Sequence, residues 1–133
     1  MKYTSLTENH LFSKAYAKGK RFVGKLVAVY VLPDYSARKL MLANPQKNYI
    51  NRLGISVSKK VGGAVLRSRV RRIIREGYRA ACSACDPRTG HIIVITARSA
   101  SAAAKSTDVY AELCRAFDKL GLIQKDSMRE KQI

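Results

Sequence analysis

The 133-residue chain carries 26 Lys and Arg side chains against nine Asp and Glu, a net charge of +17, and its pI is near 10.3. Such a balance implies a polyanionic partner, with nucleic acid ahead of a membrane surface. At 47% apolar content the chain can bury one core of a single small domain, and no apolar run approaches the roughly 20 residues of a membrane span.

Residues 1–5 show no periodicity and are expected to be unstructured. Met1-Lys2-Tyr3-Thr4 lacks the apolar stretch of a signal peptide, which points to the cytoplasm. Ser5 with Glu8 offers a capping box, and Thr7 a rival N-cap, for a helix that runs to about Lys18 and closes on Gly19. Phe12 and Tyr16 lie four residues apart beside the Leu11/Ala15 stripe, and on spacing alone they read as core. Lys20 to Lys25 reads as a basic connector. Leu26 to Leu32 is a continuous apolar run, hence a central strand, with Tyr30 on the face of Leu26, Ala28 and Leu32. Beyond Pro33 a polar loop extends from Asp34 to about Asn51, with a short strand near Leu40–Leu42 and a turn at Asn44-Pro45. In Arg52 to Ser58, Leu53, Ile55 and Val57 alternate with Gly54, Ser56 and Ser58, the pattern of a half-buried strand with one small, smooth face.

A turn, Lys59 to Gly63, then leads into a helix beginning near Ala64. At about 100° per residue, Leu66, Val70, Ile73, Gly77 and Ala81 share one face. Arg71, Arg72, Arg75 and Arg79 gather opposite, flanked by Arg67 and Arg69. An ordinary surface helix mixes signs to gain i,i+4 pair energies. Here Arg67/Arg71, Arg71/Arg75 and Arg75/Arg79 repel, and Glu76 alone offsets them. A self-repelling face is understandable if a polyanion neutralises it, and guanidinium groups suit bidentate phosphate contacts and base stacking.

Asp86-Pro87 and Thr89-Gly90 mark a turn before a buried strand, His91 to Ala97. Ser99 to Lys105 is a linker or a frayed helical turn. Thr107 caps a last helix carrying Val109, Leu113, Ala116 and Leu120, which Gly121 ends. Residues 124–133 read as a disordered tail behind a single domain, 1–123. The order α-β-β-(β)-α-β-α is that of an α+β two-layer sandwich, helices against a small mixed sheet.

Catalytic groups are sparse. His10 and His91 are far apart in sequence, and the nine carboxylates form no ligand or acid/base spacing. An odd count of three cysteines is not a disulfide framework. Cys82 and Cys85 form a C-x-x-C with no second pair, and only Cys114 and His91 could add ligands. No catalytic residue and no metal site is assigned.

The run Ser58, Lys59, Lys60, Gly62, Ala64, Val65, Arg67, Arg69, Arg71, Arg72, Ile74, Arg75 and Glu76 resembles the signature of the bacterial ribonuclease P protein subunit family. The likeness is close across this motif and looser from about Leu6 to Leu122. The chain departs at Gly63 and Ser68, where that family usually has Asn. The resemblance implies a fold like the second domain of ribosomal protein S5, with a left-handed βαβ crossover. It further implies a subunit of a ribonucleoprotein endoribonuclease whose RNA performs Mg²⁺-dependent hydrolysis, with no cofactor held by the protein. Lys59, Lys60, Arg67, Ser68, Arg69, Arg71, Arg72, Arg75 and Arg79 would bind RNA. Phe12, Tyr16 and Tyr30 would line a cleft for the 5′ leader of precursor tRNA, and neither membrane nor DNA is a partner. The alternatives are a ribosomal or other structured-RNA-binding module without nuclease activity, and a DNA-compacting protein.

Overall fold

Strand registers, more than helix faces, organise this molecule. The computed structural model describes residues 3–6, 9–33, 51–85 and 91–122. Within them β1 (Tyr3–Ser5), α1 (Asn9–Lys18), β2 (Lys20–Val23), β3 (Val27–Pro33), β4 (Asn51–Ser56), α2 (Ala64–Cys85), β5 (His91–Ala97), a 3₁₀ turn (Ser99–Ala103) and α3 (Ser106–Lys119) follow in order. The sheet order is β1-β4-β5-β3-β2. β4 pairs parallel with β5 across the α2 crossover, while β3 runs antiparallel to both β5 and β2.

The apolar runs are central because both of their faces are covered. Val27, Val29 and Val31 on β3, with Ile93 and Ile95 on β5, pack into the larger core with Val70, Ile74 and Tyr78 of α2 and Leu113 and Phe117 of α3. The alternate residues, Leu32, Ile92 and Val94, face a smaller cluster with Leu6 and Ala15. The α+β class holds, and α1 adds a partial third layer to the two-layer sandwich by covering the sheet face opposite α2 and α3. Leu26 lies outside β3 and packs against the larger core instead of sharing the Tyr30 face.

Two segments expected to lack structure are edge strands. Tyr3–Ser5 pairs in parallel with Asn51–Leu53, so Ser5 is in a strand and does not cap α1. Lys20–Val23, the expected connector, pairs with Ala28–Val31. Both edges are short, and β2 bears two cations, features that discourage edge-to-edge association. Ser99–Ala103 is a 3₁₀ turn, and α3 starts one residue before Thr107, where the Asp108 carboxylate accepts the Lys105 backbone N–H at 3.0 Å. Gly121 adopts φ 74° in a Schellman motif: its N–H reaches Asp118 O at 3.2 Å and the Leu122 N–H reaches Phe117 O at 2.9 Å. The expected features at Thr7, Glu8, the 34–50 loop, the 86–90 turn and the tail lie outside the described residues. No helix among the described residues is long and apolar enough to cross a membrane.

Candidate nucleic-acid interface

The arginine helix earns its position through its other face. Val70, Ile73, Ile74, Gly77, Tyr78, Ala81 and Cys82 are buried along α2; of the five positions expected, Leu66 is only half-buried, while Ile74, Cys82 and Tyr78, which packs edge-on against Phe117 at 6.0 Å, widen the stripe. With that side fixed, Lys59, Lys60, Ser68, Arg69, Arg72, Arg75 and Arg79 are exposed, while Arg67 and Arg71 are half-buried. Among the described residues no carboxylate forms an ion pair with these cations. Arg69 is partly committed internally, since its Nη1 donates to Ala102 O at 3.0 Å and ties α2 to the 3₁₀ turn. Arg67 holds its Nε out of solvent without a hydrogen-bond partner among the described residues. Val65, 88% exposed, is an apolar patch on the first turn of this basic surface.

The second candidate surface is the sheet face that α1 partly covers. Paired residues of neighbouring strands share a face, so Arg21, Tyr30, Val94 and Gly54 form one row across four strands. Val23, Ala28, Thr96 and Ser56 form the next. Onto this floor α1 lowers Phe12 and Tyr16. A Cβ on Gly54 would come within 2.5 Å of Phe12 Cζ, so the glycine provides the seat for that ring. Tyr16 and Tyr30 meet edge-to-face, centroids 4.9 Å apart at 87°, and the Tyr16 hydroxyl shares a 3.2 Å hydrogen bond with Thr96 Oγ1. Tyr16 is 41% exposed, whereas Phe12 and Tyr30 are half-buried against the smaller core. Thus the expected trio does converge, with Phe12 largely in its packing role and Tyr16 presented to solvent. Arg21 and Thr96 join the same face. Spacing within single segments gives no sign of them; only the strand register does.

Among the described residues no group of three or more His, Cys, Asp or Glu side chains could hold a metal ion. A model of the Ribonuclease P family matches residues 1–121. The chain belongs to the ribonuclease P protein family. It is 39% identical over 123 residues to the ribonuclease P protein component of Clostridium acetobutylicum, covering 92% of this chain and 93% of that protein. The Clostridium perfringens component (strain 13) is 38% identical over 96 residues, 72% of this chain and 71% of the relative. The Staphylococcus aureus RNase P protein structure superposes with a TM-score of 0.70 at 24% identity, covering 92% of this chain and all of that one. That from Thermotoga maritima gives 0.66 at 20% identity, covering 86% and 96%. These likenesses place the arginine helix and the sheet face under α1 in a ribonuclease P protein fold.

Proposed function

We propose that this protein component of ribonuclease P grips the ribonuclease P RNA with one surface and the 5′ leader of precursor tRNA with another. Lys59, Lys60, Arg67, Ser68, Arg71, Arg72, Arg75 and Arg79 contact the RNA backbone, and Arg69 adds the nitrogens not bonded to Ala102. The leader crosses the sheet face, where an unpaired base stacks on Tyr16 beside Tyr30 and Phe12 supports the platform from below. Stacking of this kind contributes about 1–3 kcal/mol per base without reading sequence. Hydrolysis belongs to the RNA and its Mg²⁺, and the arginines lower the Mg²⁺ requirement by taking the place of diffuse cations around the RNA.

The observation that carries this reading is the outward row of α2 cations, matched to no carboxylate among the described residues. The test is cleavage by holoenzyme reconstituted with its RNA at low Mg²⁺. Tyr16→Ala with Tyr30→Ala should weaken binding of precursor tRNA roughly tenfold or more while leaving leaderless tRNA nearly unaffected. Equal losses on both substrates would remove the leader from the cleft.

A further inference from the structure

The three cysteines stand apart from the RNA-facing surfaces, and the C-x-x-C spacing pairs the wrong two. Cys82 is 2% exposed and points into the larger core. Cys85, at the last position of α2, instead meets Cys114 in the middle of α3: its S–H donates to Cys114 Sγ, with the sulfurs 3.0 Å apart. A disulfide requires about 2.05 Å, so the two sulfurs need close by only about 1 Å. Cys85 and Cys114 are both partly exposed at the rim of the core, where a small oxidant can reach them.

We infer that Cys85 and Cys114 are an oxidisable dithiol, which a peroxide converts to a disulfide that staples the C-terminal end of the arginine helix to α3.

The two sulfurs are not equivalent. Burial, reinforced by the hydrogen bond to Cys114 and the nearby Cys114 and Cys82 sulfurs, pushes the Cys85 thiol up to about 12, so it remains protonated at neutral pH. Cys114 accepts that proton's hydrogen bond, and the neighbouring Tyr110 hydroxyl has its pKa raised, first by its proximity to Cys114. In the first step one of the two sulfurs, as its thiolate, attacks one peroxide oxygen, the O–O bond breaks, and hydroxide leaves as that sulfur becomes a sulfenic acid. The other sulfur then attacks the sulfenic sulfur, the S–S bond forms, and the departing hydroxide takes up that thiol's proton. With hydrogen peroxide the balance is two thiols and one peroxide giving one disulfide and two waters. The link spans two packed helices without touching the cations of α2, so it alters rigidity and leaves the RNA-facing charge in place. Disulfides formed inside reducing compartments are typically transient and redox-sensing.

The experiment treats the intact protein with hydrogen peroxide, counts thiols after denaturation, and maps peptides without reduction. Three cysteines should fall to one free thiol, with a Cys85–Cys114 cross-linked peptide, a monomeric band, a raised urea midpoint, and full reversal by dithiothreitol. RNA affinity should stay within about twofold, because counterion release depends on the unchanged cations. Cys82→Ser should still form the link and Cys114→Ser should not. If either variant fails to fold, the wild-type peptide map decides alone. A Cys82–Cys85 peptide, intermolecular dimers, sulfinic acid at Cys114, or three surviving thiols would each overturn the assignment.

Discussion

Glu112 shows how much one side chain can hold in place. It is 2% exposed, and its carboxylate accepts the backbone N–H groups of Lys25 at 2.5 Å, Leu26 at 2.9 Å and Val27 at 3.0 Å. The first two amides belong to the turn that joins β2 to β3 and the third opens β3, so an acidic residue of α3 fixes the hairpin that carries Arg21 and Tyr30. A buried carboxylate is tolerated where several donors replace its water. Glu112→Ala leaves those donors without an acceptor and should cost about 2 kcal/mol or more of unfolding free energy, read from urea denaturation. Glu112→Gln should recover only part of this, since its amide presents one acceptor oxygen and one donor to the same N–H groups. An unchanged midpoint in the alanine variant would show that the turn does not depend on this carboxylate. The sequence held a sign of it: Glu112 follows Val109 by three and adjoins Leu113 on the apolar stripe of α3, an unusual place for a charge unless it is satisfied.

Among the elements, legibility followed the range of the interactions that create each one. α2 was readable because its 3.6-residue periodicity and its arginines sit in one continuous segment, and the helix begins at Ala64 as expected. β3 and β5 were readable from unbroken apolar runs. β1 and β2 were not, because strands of three and four residues owe their existence to partners that lie elsewhere in the chain. The arginine surface was therefore legible in the residues themselves. The aromatic cluster on the sheet was not: spacing assigns Phe12 and Tyr16 to a core, and only the register across four strands puts Tyr16 beside Tyr30 and Thr96. Gly54 tests that geometry at the element level. Gly54→Ala places a methyl against Phe12, which must tilt and lift α1 from the sheet, at a cost of about 1–3 kcal/mol. Phe12→Leu should open room, so the double variant should be more stable than the sum of the two single losses, a coupling read from a double-mutant cycle. Strict additivity would mean that Phe12 is not seated on Gly54.

At the scale of the whole molecule, the net charge of +17 gives salt two opposite effects. In the free protein like charges repel, both along α2 and between elements, and this self-repulsion works against the compact state. Added salt screens it, with a Debye length of about 10 Å at 0.1 M, so the thermal midpoint of the free protein should rise as salt is raised from low concentration. Binding to RNA has the reverse sign, since salt diminishes the gain from counterion release, with log K falling by about 0.7 to 0.9 per phosphate contacted for each unit of log salt. The exposed pair Arg72 and Arg75 links the two effects. Replacing both with Ala removes two cations from a face that pairs with no carboxylate among the described residues. The salt slope of RNA binding should then shrink by about 1.4–1.8, while the low-salt thermal midpoint stays level or rises because repulsion within α2 is relieved. Nitrocellulose-filter titrations across a salt series, beside thermal melts of the free protein in the same buffers, read both quantities. A full slope in the double variant would take these two arginines out of the RNA contact, and a fall in its low-salt midpoint would show that they support the fold.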